Sequence, residues 1–231
     1  MKKLSIISFL LVVLVLNIFA QKKLEIYTAA NLGLSKVKFI PSIGEISSNI
    51  SGGIGVHIIY QIRPNIGLIS MPVLQQRGYT SLNSANNFDV RVTYIDIPVG
   101  IELGFGARAL IGFSKFAEGE EKPFFFSAGI YEGIAIGGKY TDKFYNNPSV
   151  KIKFGESTTD QRSRTDIGVN FTLGLRFKSR LGKFKFGLQN QRGLKNCIPN
   201  DRKSKDGSLK TSNFGFFVAY GISNLFNKKL R

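Results

Sequence analysis

The sequence predicts an all-β fold: an eight-stranded antiparallel up-and-down transmembrane β-barrel, preceded by a cleavable signal peptide. Three observations carry this reading. From Ile167 to Phe177 every second residue is large and apolar, and the residues between are small or polar. That strict period of two belongs to a strand with one apolar face, whereas a helix would wind Asn170 and Arg176 onto the same cylinder as the phenylalanines. The pattern recurs elsewhere among seven further strand-like segments, and the connections between segments alternate in length. In a soluble protein such a face covers a core; in a membrane barrel it faces lipid and the polar face points inward.

Taken in chain order, residues 1–20 have the layout of a secretory signal peptide. Lys2 and Lys3 precede an apolar run over Leu4–Phe19, and Ala20 precedes Gln21. A retained membrane helix is the competing reading, since about 17–25 residues span a bilayer. Residues 21–231 then form one barrel domain. No later segment is apolar over a helix-spanning length, so any crossing there is by strands. Tryptophan is absent, and 25 glycines and 20 phenylalanines against 7 prolines suit a closely packed all-β chain.

Eight strand segments are expected at 23–35, 52–63, 65–79, 90–104, 123–138, 165–178, 183–193 and 212–222. Each meets the roughly 9–11 residues a membrane strand needs, and the count is even. Arg63-Pro64-Asn65 and 179–182 read as tight turns on the periplasmic side. The connections 36–51, 80–89, 139–164 and 194–211 read as long outer loops. The connection 105–122 exceeds a simple turn and suggests a hairpin extending the flanking strands. Two segments fit poorly. In the fifth, Glu132 shares the parity of Ile130 and Ile134, which calls for a bulge near 129–133 or a shifted register. In the third, Met71-Pro72 removes a ladder donor and implies local distortion.

The parities sort the side chains. Ile95, Ile97, Val99, Ile167, Val169, Phe171, Leu173, Leu175, Phe214, Phe216, Val218 and Tyr220 are expected to face lipid. Glu25, His57, Arg63, Asp96, Glu102, Asp166, Asn170, Arg176, Lys178, Lys183 and Lys185 are expected to face the lumen. So many ionisable groups would each cost several kcal/mol unpaired in a dry soluble core, whereas a barrel interior admits both signs and water.

The minor face offers little catalytic chemistry. His57 is the only histidine, so a metal centre lacks ligands. Asp96 and Glu102 lie roughly 20 Å apart along one strand, too far to share a carboxylate mechanism. Arg176, Lys178, Lys183 and Lys185 form either an anion site or a charge ladder with Glu25, Glu102 and Asp166. No phosphate-cradling loop or nucleophile elbow occurs, so no cofactor is expected. Cys197 is the single cysteine, which excludes an internal disulfide. The net charge of +17, or +15 without Lys2 and Lys3, favours lipid phosphates over nucleic acid in an exported protein. Lys195, Arg202, Lys203, Lys205 and Lys210 concentrate that charge in the last outer loop.

The run Tyr94-Ile95-Asp96-Ile97-Pro98-Val99, followed by the aromatic strand Pro123-Phe124-Phe125-Phe126-Ser127-Ala128-Gly129, resembles the PorT-like outer-membrane β-barrel family of Bacteroidota. Asp166–Leu175, Gly52-Gly53-Ile54-Gly55 and Gln76-Arg77-Gly78-Tyr79 fit the same pattern. The departures are the long 105–122 connection and the continuation over 223–231. The resemblance implies an integral outer-membrane protein with an accessory role in protein secretion or surface assembly, and it supplies no catalytic residues. The chain therefore reads as a non-enzymatic barrel whose outer loops contact a protein or outer-membrane lipids. The alternatives are a lipid-modifying barrel enzyme using His57 or a loop serine, and a soluble periplasmic barrel binding an apolar ligand.

Overall fold

The computed structural model describes residues 24–40, 45–83, 86–106, 123–142, 149–157, 159–179, 181–202 and 207–222. The expected signal peptide, residues 107–122 and residues 223–231 lie outside them. Ten strands form one antiparallel sheet: β1 Leu24–Ile40, β2 Glu45–Arg63, β3 Ile66–Ser70, β4 Val73–Asn83, β5 Asn86–Phe105, β6 Phe124–Asp142, β7 Val150–Lys151, β8 Thr165–Ser179, β9 Gly182–Gly193 and β10 Ser208–Gly221. The sheet closes on itself, because β5 pairs with β6 and β10 pairs with β1. β3 and β4 both pair with β2 and β5, so they are two halves of one stave. With β7 a two-residue addition to the upper end of β6, the barrel has eight staves.

The break between β3 and β4 is Met71-Pro72, where proline has no N–H to give the ladder. The stave still holds its place, since Val56 N–H donates to the Pro72 carbonyl at 3.0 Å and Met71 N–H to the Pro98 carbonyl at 3.2 Å. The distortion expected there is a two-residue gap.

One lateral row gives the tilt of the barrel. Leu34 pairs with Phe214, and the row continues through Asn190, Phe171, Ala128, Ile101, Leu68 and Tyr60. It returns to β1 at Leu24, ten residues from its start. A stagger of that size over eight strands tilts them roughly 35–45° to the axis. Equal heights on neighbouring strands are thus offset by a little more than one residue. Leu34, Ser212, Arg192, Ile167 and Glu132 accordingly lie near one level, toward the end that carries β7.

Three sequence expectations need correction. Most of 36–51 and 80–89 is strand, because β1, β2, β4 and β5 all run past the apolar rows. Backbone pairing needs no apolar face where water covers both sides, so Lys, Ser and Thr positions continue the ladder. Next, the register of β6 against β5 and β8 is unbroken from Phe124 to Ile134. The irregularity falls just above, between Thr93 and Tyr94, where Ile136 is left without a partner. Glu132 stays on the outer face, close to the upper limit of the apolar rows, so no bulge is required to rescue it. Finally, 139–164 and 194–211 are not open loops throughout. Ser163 N–H donates to the Cys197 carbonyl and Cys197 N–H to the Leu209 carbonyl, both at 2.8 Å.

Inward residues pack in two apolar clusters. The upper one joins Val37, Tyr79, Val92, Tyr94, Ala135, Cys197, Ile198 and Leu209, so the 194–202 segment caps that end. The lower one joins Tyr27, Ile59, Ile69, Phe125, Phe217 and Ala219. Gly174 is needed there, since a Cβ would lie 2.8 Å from Phe125 Cζ and 2.3 Å from the Phe186 carbonyl. Gly182, at φ +142°, turns the chain from β8 into β9, a conformation open to glycine.

Candidate functional site

Between and below the apolar clusters the interior is ionic, in two layers. In the upper layer the alternation of β4 after Pro72 points Val73, Gln75, Arg77 and Tyr79 inward. Arg77 donates to Asp96 of β5, and its Nη1 donates to Asp166 Oδ2 of β8 at 2.9 Å. Both aspartates are completely buried. Asp166 also accepts from Thr211 Oγ1 at 2.6 Å and from the Tyr131 hydroxyl at 3.2 Å. The guanidinium lies 4.8 and 5.1 Å from the ring centres of Tyr94 and Tyr131. One cation thus holds two carboxylates, wrapped in rings that exclude water and favour its charge.

The lower layer inverts that stoichiometry. Glu102 of β5 accepts from Lys185 of β9 and lies 3.4 Å from Arg176 Nη2 of β8. Lys185 Nζ is 4.1 Å from the Phe125 ring centre. His57 Nε2 is 3.9 Å from Glu102, beyond hydrogen-bond range. Its ring instead packs at 6.0 Å from Tyr27 and 6.2 Å from Phe217. Nearer the tight turns, Glu25 accepts from Lys183 and from the Tyr27 hydroxyl, each at 2.6 Å. Asn170, Gln189, Gln191, Asn213 and Ser51 fill the space between the layers with amide and hydroxyl bonds.

The lumen set is therefore brought together only in part. Glu25, His57, Asp96, Glu102, Asp166, Asn170, Arg176, Lys183 and Lys185 point into the barrel. Arg63 does not, and Lys178, which keeps the inward parity opposite Lys183, is exposed at the tight-turn end. A register shift between Gln61 and Arg63 swings Arg63 out of alternation, and Lys178 lies one step from the turn. The charge ladder joins Glu25 and Glu102 to Lys183, Lys185 and Arg176, whereas Asp166 belongs to Arg77. Sequence reasoning missed Arg77, because apolar residues occupy both parities around Pro72. Restarting the count at Val73 would have found it. Arg162, buried with its guanidinium 5.5 Å from the Tyr79 ring centre, carried no periodic signal at all.

The outer face carries the complementary set. Ile95, Ile97, Val99, Ile167, Phe171, Leu173, Phe214, Phe216 and Val218 are all exposed, Phe216 at 67%. Val169, Leu175 and Tyr220 share that face and are half-buried. Leu32, Ile50, Ile54, Ile130 and Leu188 continue it around the barrel. Such continuous apolar exposure exceeds what a monomer tolerates in water.

Chemically, the arrangement pairs opposite charges across the lumen. Side chains of both charges occupy the interior cross-section, and among the described residues no group of His, Cys, Asp and Glu suits a metal ion. Cys197 is buried in the cap, which pushes its thiol up to about 12. It stays protonated and inert at neutral pH. On the cap, Glu156 accepts from Ser163 and from the Asn200 N–H at 3.0 Å, with Lys195 at 3.6 Å. The Ser163 hydroxyl, then the Asn200 amide and Lys195, hold its carboxyl below the usual range.

No known protein family matches the chain, and no curated protein is similar to it in sequence. Among solved structures it is similar to Ail, the attachment invasion locus protein of Yersinia pestis, in complex with the heparin analogue sucrose octasulfate. That match has a TM-score of 0.43 and 14% identity over 87% of this chain and 99% of the other. Neisserial surface protein A matches with a TM-score of 0.40 and 10% identity over 84% and 96%. The outer membrane protein OprG from Pseudomonas aeruginosa matches with a TM-score of 0.41 and 8% identity over 86% and 91%.

Proposed function

We propose that this chain is an integral outer-membrane β-barrel protein that acts without catalysis, presenting its outer end to a protein or lipid partner. The observation that carries this reading is the inversion of polarity on single strands. β8 buries Asp166, Asn170 and Thr172 while exposing Ile167, Phe171 and Leu173. An apolar exterior around a closed, ion-paired interior is stable in lipid and unstable in water. The filled interior argues against a diffusion pore, and the capped upper end leaves the loop surface as the accessible part. The PorT-like resemblance adds an accessory role in secretion or surface assembly.

The interior also disfavours the two alternatives. His57 is enclosed at 3% exposure, away from any lipid substrate, and the lumen holds charges where an apolar ligand would sit. Membrane fractionation tests the reading. The folded chain is expected in the outer-membrane fraction, extractable only with detergent, with heat-modifiable gel mobility. Recovery in the soluble periplasmic fraction would overturn it. Photo-cross-linking from 194–202 and 149–157 is expected to capture a defined protein partner; capture of lipid alone would remove the secretion role.

A further inference from the structure

The outward side chains just above the apolar rows include clusters of cations. On β1, β10 and β9 the register sets Lys36 opposite Ser212, and Ser212 opposite Arg192. One step further out, Lys38 lies directly opposite Lys210. All four cations are exposed on the outer face. We propose that this three-strand patch binds the phosphate of a phosphorylated outer-leaflet lipid, an assignment that rests on the outer-membrane reading above.

The geometry fits such an occupant. Side chains directly opposite one another have Cβ atoms about 4.5–5.5 Å apart, so Lys36, Ser212 and Arg192 span roughly 10 Å. Within that span lie an ammonium, a hydroxyl donor and a guanidinium fork, the donor set that suits phosphate oxygens. The patch stands at the right height. Leu34 and Phe214 are the next outward residues below Lys36 and Ser212, and Leu32 and Phe216 continue beneath them, all exposed. A lipid with its acyl chains along those residues carries its phosphate to the level of Arg192 and Lys36.

The energetics point the same way. Like charges directly opposite on a sheet repel, so the Lys38–Lys210 pair is unfavourable by itself. Among the described residues no carboxylate relieves it, and none pairs with Lys36 or Arg192. On the opposite arc Lys139 likewise lies opposite Arg91 and Lys151, but there Arg91 bonds to Asp89 at 3.0 Å, and at the cap Lys195 lies 3.6 Å from Glu156. An anion supplied by the membrane would offset the repulsion that the chain leaves in place.

The test uses the refolded mature chain in neutral-detergent micelles, titrated with diphosphorylated lipid A and with the same lipid lacking its phosphates. The triple change Lys36→Gln, Lys210→Gln and Arg192→Gln is expected to weaken binding of the phosphorylated lipid by roughly 100-fold. The matched triple Arg91→Gln, Lys139→Gln and Lys151→Gln, on the opposite arc, is expected to change it by less than about threefold, as general attraction alone would. Equal losses in both triples, or equal binding of the dephosphorylated lipid, would overturn the site. Complete displacement by millimolar inorganic phosphate would overturn the lipid as occupant. Folding of each variant is read from its heat-modifiable mobility. If the first triple does not fold, Lys36→Gln and Lys210→Gln singly are each expected to cost about fivefold, and no loss in either would count against the proposal. A barrel that partitions into the outer membrane yet binds the phosphorylated lipid no better than the triple variant sinks only this site. A chain soluble without detergent sinks the outer-membrane reading itself.

Discussion

The two ionic layers of the interior are mirror images in charge. Above, the cation Arg77 holds Asp96 and Asp166; below, the anion Glu102 holds Lys185 and Arg176. They differ in access to water. Both upper carboxylates are fully buried, whereas the lower layer contains Arg176, with a fifth of its side chain exposed. Stability therefore rests on the hub of each layer, and on the upper hub more heavily, because its satellites have nowhere to go.

Removing the upper hub should give the largest effect. Arg77→Met leaves two carboxylates buried side by side without the cation that bonds them, and breaking a buried pair costs about 3–5 kcal/mol. The barrel has no tryptophan, so urea unfolding in lipid vesicles is best followed by gel mobility. Adding Asp96→Asn and Asp166→Asn to Arg77→Met should recover part of the loss, since the three act as one unit. A fully additive result would break the picture of a hub with dependent satellites. Glu102→Gln should cost less, about 2–3 kcal/mol, because Arg176 can turn toward water. If Glu102→Gln proves costlier than Arg77→Met, access to water does not separate the layers.

The lower layer was also the more legible in sequence. Glu25, Glu102, Arg176, Lys183 and Lys185 lie on strands with clean alternation, so parity alone placed them inside. For the upper layer, parity found Asp96 and Asp166 but not their cation, which follows Met71-Pro72 at the break between β3 and β4. Even clean parity says only which face a residue takes. That Arg77 meets a residue 89 positions away follows from the ten-residue stagger, which is set by closure of the whole sheet. The outer strand extensions were missed for a related reason: in water on both faces, no apolar alternation marks them.

Glu132 sharpens the contrast between inside and outside. It is paired laterally with Ile97 and Ile167 on the exposed face, with Ile130 and Ile134 on either side along β6. A carboxylate near the upper limit of the apolar band costs at most about 1 kcal/mol. Glu132→Leu should therefore raise unfolding stability in vesicles by up to that amount, far less than any change at Arg77. A loss of stability instead would place Glu132 in a contact that the outer face does not display.

The smallest expected effect lies outside the barrel wall, where Glu156 ties the 149–157 segment to the 194–202 cap. The folded carboxyl is held below its ordinary value by Ser163, the Asn200 amide and Lys195. A group depressed on folding contributes its stability fully above the unfolded value near 4.3, and loses it as pH falls through the lower folded value. The tie should be intact at pH 7 and weaken progressively below about pH 4. Asp160 is depressed as well, but through the Ser157 hydroxyl and amide, so its titration reports on a different backbone group. Hydrogen exchange at the Asn200 amide, corrected for intrinsic rates, should accelerate between pH 5 and pH 3, while the inward β8 amides stay protected. Glu156→Gln should flatten that profile. The Glu156 side chain is 42% exposed, so solvent screens the tie and the barrel should keep its gel mobility throughout. If lowering the pH over this range instead unfolded the barrel as a unit, the cap and the ionic layers could not be separate tiers of stability.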